Sequence, residues 1–347
     1  MNHIQWMGRE LKILDQRKLP GQVKYLYLST IEDCYRSIVS MQVRGAPLIG
    51  VVGAFGLALL AQNIEEKSKK EFLERIKKGA QYISNARPTA YNLEYCVNVV
   101  LTSIKDQKNI EEMKKEAIRK ALEIMKIEEK NSRRIGELGE TLLEDGDTVL
   151  THCNAGALAT VKYGTALAPI RIAIEKGKCI YVIATETRPA QQGARLTAWE
   201  LSKDHIPVTV IADTAVGYLM KKKMITKVIV GADRITSDGY VFNKIGTYQV
   251  AVLAAKHQIP FYVTAPSTTF DLCITHEKVI IEERETKEIT TIGRKRVVPK
   301  GVRVYNPVFD ETPPRLIKAI ITEKEIISPP YNKSISRMFS NRVYKKT

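Results

Sequence analysis

A cysteine and an aspartate end two short apolar runs in the second half of the chain. Cys153 ends the run TVLTHC (148–153), and Asp233 ends the run KVIVGAD (227–233). Runs rich in Val and Ile predict strands, so both side chains are expected where a strand ends. Burial there favours the protonated carboxyl group that a proton donor needs. The residues after Cys153 predict a helix start, whose N-terminus lowers the pKa of a nearby thiol. Both are candidate catalytic residues, although an inert buried cysteine or a turn-capping aspartate is also common.

Other polar and basic residues could hold a phosphate group. They lie near predicted turns or helix starts: Arg44-Gly45-Ala46 in VRGAPLIG (43–50), Arg87 in ARPTAYNLEY (86–95), Arg188, Gln192 and Arg195 in ETRPAQQGARLTAWEL (186–201), and Asn243-Lys244 at the start of a predicted helix. Guanidinium groups and helix N-termini suit phosphate oxygens. Each segment alone is also compatible with an ordinary surface turn, so the set is what favours a phosphate site.

Several established motifs do not occur in the sequence. No GxGxxG follows a predicted strand, and neither GxxxxGK[ST] nor GxSxG is found, which removes the main support for a dinucleotide, P-loop or α/β-hydrolase site. The five cysteines and five histidines lack metal-ligand spacing. We therefore expect no cofactor and no metal.

The elements that must position these residues predict an α/β fold. Residues 1–140 read as a mostly helical domain, with a strand-like KYLYLS (24–29), a buried helix over 48–61 and a long amphipathic helix over 109–140. In residues 141–330, apolar runs at 148–153, 179–186, 207–213, 227–233 and 260–266 alternate with helical segments at 156–176, 192–203, 214–223 and 244–258. This alternation predicts a doubly wound parallel sheet, which binds ligands at the carboxyl ends of its strands.

The formal net charge of +16 raises the hypothesis of a nucleic-acid partner. The positive charge is dispersed, however. The segment 331–347 supplies +5, and RKR (294–296) forms a second cluster in a predicted loop. Neither segment has the interleaved aromatic residues of an RNA-binding sheet. We expect a solvated surface, a basic C-terminal tail over 331–347 and no nucleic-acid partner.

Membrane association and secretion are not predicted either. The longest apolar stretch, 48–61, has 14 residues, whereas a membrane span needs about 20. The first dozen residues include charged side chains and lack the apolar region of a secretory signal. The cysteines form an odd, scattered set without a CxxC pair, which is typical of reduced thiols and predicts a cytoplasmic location.

Five segments taken together are far more specific than any one alone: RGAPLIG, RPTAYNL, THCNAGALAT, ETRPAQQGARLTAWEL and VGADRI followed by NKIGTY. In these segments the chain resembles the methylthioribose-1-phosphate isomerases, whose superfamily includes regulatory subunits of a translation-initiation guanine-nucleotide exchange factor. The resemblance runs from about Ile13 to residues 306–327. It implies a helical N-terminal domain, a Rossmann-like C-terminal domain, a homodimer, and conversion of a 5-substituted ribose 1-phosphate to the ribulose 1-phosphate in methionine salvage.

The resemblance also implies a role for each matching residue. The family's catalytic cysteine corresponds to Cys153, and its catalytic aspartate, the proposed proton donor, corresponds to Asp233. The substrate-binding positions correspond to Arg44, Gly45, Ala46, Arg87, Gln192, Asn243 and Lys244. A sugar 1-phosphate is a cyclic acetal, so the enzyme must open its ring before isomerisation. A protonated Asp233 would give a proton to the ring oxygen, and Cys153 would assist an enediol or a direct hydride shift.

Three departures from the family pattern leave alternatives open. GYVFNK (239–244) lacks the usual acid, Ala190-Gln191 replaces a more apolar pair, and Tyr91 is unexpected. These positions flank the assigned binding residues, so 5-deoxyribose 1-phosphate is an alternative substrate. A non-catalytic regulatory subunit is an alternative from another class, although it would not need a thiol and a carboxylate at adjoining strand ends. A nucleic-acid-binding protein is a third, supported by net charge alone.

Overall fold

The computed structural model describes residues 2–66, 68–87, 90–293 and 295–340. The N-terminal part combines a small antiparallel sheet with five helices. Its elements are β1 (Ile4–Trp6), β2 (Leu11–Leu14), β3 (Tyr25–Leu28), α1 (Ile31–Val39), α2 (Ala46–Asn63), α3 (Lys69–Ser84), α4 (Tyr91–Lys105) and α5 (Ile110–Glu140). The predicted strand, buried helix and long amphipathic helix are therefore all present.

Helix α2 forms the centre of the N-terminal core. Its residues are apolar on every side, and α1, α3, α4 and α5 pack around it. Gly50 and Gly53 permit the close approach of α4, because a Cβ at Gly53 would lie 2.4 Å from a methyl of Leu93. By length and composition α2 could cross a membrane, but most of it is buried inside the protein, as in the core helix of a globular domain.

The C-terminal part alternates strands and helices. Its elements are β4 (Thr148–Thr151), α6 (Leu167–Glu175), β5 (Tyr181–Thr185), α7 (Ala198–Lys203), β6 (Val208–Ile211), α8 (Val216–Lys221), β7 (Lys227–Val230), β8 (Arg234–Thr236), β9 (Val241–Lys244), α9 (Thr247–Lys256), β10 (Phe261–Thr264), β11 (Phe270–Asp271), α10 (Lys287–Thr290), β12 (Thr291–Ile292), β13 (Lys295–Arg296), β14 (Phe309–Thr312), β15 (Ala319–Ile321), β16 (Ile326–Ile327) and α11 (Tyr331–Ser340).

The main sheet confirms the predicted doubly wound architecture. Its strand order is β16-β15-β10-β7-β4-β5-β6, with all pairs parallel except β15 with β16. From β4 the chain winds outward through β5 and β6, and then returns to place β7 on the other side of β4. In such sheets the crevice between the two central strands is the usual ligand site. A ligand site is therefore expected at the carboxyl ends of β4 and β7.

A second, four-stranded sheet stands beside that crevice, in the order β11-β8-β9-β14. Strands β8 and β9 form a hairpin that directly follows β7 along the chain. Strand β14 pairs antiparallel with β9, so that Phe309 lies opposite Lys244. This small sheet carries part of the predicted phosphate site to the end of β7.

Two predicted helix boundaries are wrong. A helix was predicted over 156–176. Its first part is a loop with one short turn (Ala157–Ala159), and the helix α6 begins only at Leu167. The loop is held by a hydrogen bond from the Thr165 amide to the Ala155 carbonyl (2.8 Å) and by Gly164 in a left-handed conformation. Asn243 and Lys244 do not open a helix either. They end β9, and α9 begins after the left-handed Gly246.

The first ten residues of the predicted basic tail are part of the fold. Helix α11 buries Tyr331, Ile335, Met338 and Phe339 against the core of the C-terminal part. These residues recur at helical spacing and form one apolar stripe, while its basic residues lie on the other side. The rest of the tail, 341–347, and Arg294 of the second basic cluster lie outside the described residues.

Candidate active site

One cavity at the carboxyl ends of β4 and β7 contains all nine predicted site residues. It encloses about 650 Å³, including its opening to solvent. The helical part contributes Arg44, Gly45, Ala46 and Arg87, and the C-terminal part contributes Cys153, Gln192, Asp233, Asn243 and Lys244. Residues separated by up to 200 positions in the sequence thus meet at the topological switch point of the sheet.

Cys153 lies in the loop after β4, buried and in a left-handed conformation (φ +66°). Its amide donates to Thr187 Oγ1 (2.8 Å), and its Sγ donates to Gln192 Oε1 (3.0 Å). Burial raises the pKa of the thiol, and the positive charges of Lys244 and Arg44 only partly offset this effect. The prediction of a lowered pKa at a helix N-terminus is therefore wrong, because no α-helix begins directly after Cys153. The thiol stays protonated at neutral pH.

A chain of hydrogen bonds fixes the backbone of this loop. His152 is buried, which lowers its pKa and keeps its ring neutral. Its Nε2 lies 2.8 Å from the Ile245 carbonyl, which can only accept, so Nε2 carries the proton and Nδ1 accepts from Thr185 Oγ1 (2.7 Å). The Thr185 and Thr187 hydroxyls are 2.9 Å apart. The chain therefore runs from the small sheet to the amide of Cys153.

Arg44 is held by a second network. Its guanidinium donates to the side-chain oxygen and the backbone carbonyl of Asn154. Asn154 Nδ2 in turn donates to Glu200 Oε1 (2.5 Å), and Arg171 forms an ion pair with Glu200 (2.8 Å). Because Glu200 lies in α7, the network ties Arg44 of the helical part to the C-terminal part.

Gly45 and Ala46 bring the N-terminus of α2 to the cavity. Gly45 has φ +97°, and a Cβ at this position would lie 2.6 Å from backbone atoms of Ala159, so only glycine fits. Ala46 is the first residue of α2, and no side chain in the described part of the chain caps this helix. A helix N-terminus with free N–H groups attracts anions, which agrees with the predicted phosphate site.

Lys244 is a buried cation at the end of β9. Its Nζ lies 4.7 Å from the centre of the Phe309 ring. Burial lowers its pKa, and the positive charges of Arg284 and Arg87 lower it further, while Cys153 and Asp233 act in the opposite direction. Such a group gains strongly from a bound anion. Its neighbour Asn243 is also buried and lines the cavity.

Asp233 lies between β7 and β8 and is half-buried. Its amide donates to the Phe242 carbonyl (2.9 Å), which holds it against the β8–β9 hairpin. Its side chain is an electrostatic neighbour of both Arg87 and Lys244. It lines the main cavity and also a second, adjoining cavity. The carboxyl group is thus placed between the phosphate-binding side of the site and the adjoining space.

Arg284, which was not predicted from the sequence, also lines the cavity. Its Nε donates to Glu282 Oε1 (2.8 Å), and Arg87 Nη2 lies 3.6 Å from Glu282 Oε2. Glu282 and Arg284 lie between β11 and β14, where the helices and strands are short. The sequence of this segment shows no hydrophobic periodicity. No sequence pattern therefore singled out Arg284. His152 was not predicted either, although it directly precedes Cys153.

Two arginines proposed for phosphate do not line the cavity. Arg195 donates from its guanidinium to the carbonyls of Gln16, Arg17 and Leu19. Arg188 donates from Nη1 to the Pro189 carbonyl (3.0 Å). Of the three residues predicted in that segment, only Gln192 faces the site. Within the part of the chain that the structure describes, no three His, Cys, Asp or Glu side chains are grouped to hold a metal ion.

The chain is similar to known proteins over nearly its whole length. Residues 42–329 match the Initiation factor 2 subunit family. The methylthioribose-1-phosphate isomerase of Desulforamulus reducens is 45% identical over 345 residues, which cover 99% of this chain and 100% of that protein. The enzyme of the same name from Acetivibrio thermocellus is 50% identical over 341 residues, covering 97% of this chain and 99% of that one.

Two solved structures extend the likeness to the fold. The 5-methylthioribose 1-phosphate isomerase of Pyrococcus horikoshii OT3 superimposes with a TM-score of 0.92 at 37% identity, covering 98% of this chain and 96% of that one. A chain described as translation initiation factor eIF-2B, subunit delta, from A. fulgidus gives 0.88 at 46% identity, covering 98% and 99%. The chain belongs to the Initiation factor 2 subunit family and, within it, to the methylthioribose-1-phosphate isomerases.

Proposed function

We propose that the protein isomerises 5-methylthioribose 1-phosphate to 5-methylthioribulose 1-phosphate, a step of methionine salvage. One observation carries the proposal: a buried thiol, a half-buried carboxyl group and four cationic side chains surround one cavity at the switch point of the sheet. The cations are Arg44, Arg87, Lys244 and Arg284. Together with the N-terminus of α2 they suit the phosphate of a sugar 1-phosphate.

The reaction needs one proton donated and one removed. The carboxyl group of Asp233 gives its proton to the ring oxygen as the bond from that oxygen to C1 breaks. The hydrogen on C2 moves to C1, and the C2 hydroxyl loses its proton as the carbonyl forms. The Asp233 carboxylate left by the first step is available to take that proton, which would restore the acid. General acid–base steps of this kind contribute about 10²–10⁴-fold each.

Cys153 enters this chemistry as a thiol. Because its pKa is raised by burial, it can donate a hydrogen bond but is not a standing base for the C2 hydrogen. This favours a direct hydride shift over an enediol. The test is turnover of substrate with deuterium at C2: the hydride shift keeps the label on C1 of the product, whereas loss of the label to water would favour the enediol.

The second cavity supports the methylthio substituent over a bare methyl group. It encloses about 840 Å³, including its opening to solvent, and shares Arg87 and Asp233 with the main cavity. Apart from the charged Arg234 and Lys278, the rest of its lining is apolar: Ala46, Ile49, Ala90, Phe242, Val279, Ile280, Ile281 and Phe309. The ring oxygen that Asp233 protonates is bonded to C4, which carries C5. The 5-substituent is therefore expected on the side of Asp233, in this second cavity.

The decisive experiment compares kcat/KM of the purified protein for 5-methylthioribose 1-phosphate and 5-deoxyribose 1-phosphate. The methylthio compound has two further apolar atoms at C5. At about 0.8 kcal/mol per buried methylene-sized group, they should favour it by roughly tenfold. A preference above about tenfold for the 5-deoxy sugar would overturn the substrate assignment and leave the isomerase class intact.

The same experiment addresses the non-catalytic alternative. The A. fulgidus structure carries the description of an exchange-factor subunit, so its likeness to this chain alone does not distinguish the two classes. A subunit that acts only through assembly would not turn over a sugar phosphate as an isolated chain. Absence of turnover with both sugars, in protein that is folded, would favour the regulatory class.

A homodimer in the cytoplasm completes the proposal. Support for the dimer comes from three exposed apolar side chains, Tyr218, Tyr248 and Val252, on the contacting helices α8 and α9. Support for the compartment comes from the five cysteines, which are all free thiols. Analytical ultracentrifugation should give twice the chain mass of 39.1 kDa. A monomer at micromolar concentration would contradict the dimer.

A further inference from the structure

We infer that Arg284 binds the substrate phosphate together with Arg87, and that Glu282 positions both guanidinium groups. The inference rests on the proposed function, since it assigns further residues to the same site. It adds the irregular segment between β11 and β14 to the binding machinery.

The contacts of Arg284 leave part of its guanidinium for a ligand. The side chain is 14% exposed and lines the cavity with Cys153 and Lys244. Its Nε donates to Glu282, and its Nη1 lies 3.3 Å from the sulfur of Met41 and 4.0 Å from Glu288 Oε1. Nη2 has no protein acceptor among the residues that the structure describes. A guanidinium presents five donors in a fixed fork, so a phosphate in the cavity would satisfy donors that the protein does not.

The Glu282 carboxylate lies between the positively charged guanidinium groups of Arg284 and Arg87. Its Oε1 accepts from Arg284, and its Oε2 lies 3.6 Å from Arg87 Nη2. Arg87 is itself mostly buried, and the charge of Arg284 disfavours its protonated form. The carboxylate between them offsets this repulsion and fixes the separation of the two guanidinium groups. Both arginines are then oriented before the substrate arrives, which reduces the ordering needed on binding.

The electrostatics of Glu282 agree with this role. Partial burial raises the pKa of its carboxyl group, but the hydrogen bond from Arg284 and the charges of Arg284, Arg87 and Lys244 outweigh it, so the pKa is lowered overall. Glu282 is therefore ionised at neutral pH. Its carboxylate touches the two arginines rather than the reacting carbons, which makes it a positioning residue.

The experiment measures inorganic phosphate binding by calorimetry, and kcat and KM for 5-methylthioribose 1-phosphate, in four variants. Arg284→Met should weaken phosphate binding and raise KM by about 10- to 100-fold, as expected for the loss of a charge-assisted contact. If the Arg284→Met variant does not fold, Arg284→Gln is used in its place. Arg303→Met is the matched control, because Arg303 is an exposed arginine of the same segment that does not line the cavity.

Glu282→Gln distinguishes positioning from a merely structural role. It should raise KM by several-fold with kcat nearly unchanged. The Glu282→Gln/Arg284→Met double variant should lose less phosphate affinity than the sum of the two single losses, because Glu282 acts in part through Arg284. Additive losses, or a fall in kcat alone, would refute the positioning role.

Phosphate affinity within twofold of wild type in a folded Arg284 variant overturns the inference. Its failure is distinguishable from failure of the proposed function. If the wild-type protein turns over 5-methylthioribose 1-phosphate and the Arg284 variant binds phosphate as tightly as wild type, only the inference about Arg284 fails. Absence of turnover in wild type, with phosphate binding that still depends on Arg284, removes only the proposed reaction.

Discussion

The lowered pKa of Lys244 predicts that substrate binding weakens at a lower pH than it would with an ordinary lysine. Its pKa lies below the ordinary lysine value of 10.5 because the ammonium group is buried and because Arg284 and Arg87 add positive charge around it. The protonated form is the one that binds phosphate. As the pH rises through this lowered pKa, the free enzyme loses the charge, and kcat/KM should fall by about tenfold per pH unit. Bound phosphate stabilises the ammonium form, so kcat should fall only at higher pH.

The size of the effect follows from the contact that is lost. A hydrogen bond to a charged group is worth about 1.5–3 kcal/mol, which corresponds to roughly 10- to 150-fold at 1.36 kcal/mol per factor of ten. Lys244→Met should therefore lower kcat/KM by that factor at neutral pH. Lys244→Arg keeps a charge that is not lost at any pH of the assay, so its alkaline limb should move up or disappear.

The assay is initial-rate kcat and kcat/KM as a function of pH for wild type, Lys244→Arg and Lys256→Met. Lys256 is an exposed lysine at the end of α9, so its variant should keep the wild-type profile. The thiol of Cys153 also titrates on the alkaline side, with a pKa above its ordinary value. An alkaline limb that persists unchanged in Lys244→Arg would assign it to that thiol or another group and refute the reasoning.

Three further predictions follow from the same geometry. Asp233→Asn and Cys153→Ser should each lower kcat by about 10²–10⁴-fold with an unchanged circular dichroism spectrum, and near-native turnover in either would contradict the assigned roles. Gly45→Ala forces a positive φ on alanine and a 2.6 Å approach to Ala159, so it should destabilise the fold by about 1–3 kcal/mol in thermal or urea unfolding; an unchanged midpoint would show that the loop adapts. Glu128 is buried, its Oε1 has no hydrogen-bond partner among the residues that the structure describes, and burial raises its pKa to about 8. The folded state then holds this proton more tightly than the unfolded state, so stability falls as the pH rises from about 4.5 to 8, and Glu128→Gln should raise Tm above pH 8 but not near pH 4.5. Equal shifts at both pH values would refute this assignment.

The residues that could be predicted are those placed by regular elements. Cys153 and Asp233 follow apolar runs whose alternation with helices predicts parallel strands, and the carboxyl ends of neighbouring parallel strands share one edge. Their meeting at the switch point therefore follows from local patterns. Arg44 and Arg87 belong to the other part of the chain, and their place in the site came from the family resemblance instead.

The features that could not be predicted depend on distant contacts. Arg195 looks like a phosphate ligand in its own segment, but its acceptors lie about 176 residues away, in the loop before β3. The raised pKa of Cys153 depends on burial by several elements, whereas the sequence shows only a strand end. Arg284 lies in a segment without periodicity, so only the folded chain brings it to the cavity.

The division of the site between two parts of the chain has a thermodynamic consequence. Arg44 and Arg87 come from the helical part, whereas Cys153 and Lys244 come from the sheet. A phosphate ester that contacts both parts binds the assembled protein and not its separated halves. At a concentration 100 times its Kd, such a ligand stabilises the folded state by about 2.7 kcal/mol. Abundant substrate therefore protects the enzyme against heat and proteolysis, and its depletion leaves the junction between the two parts held by protein contacts alone.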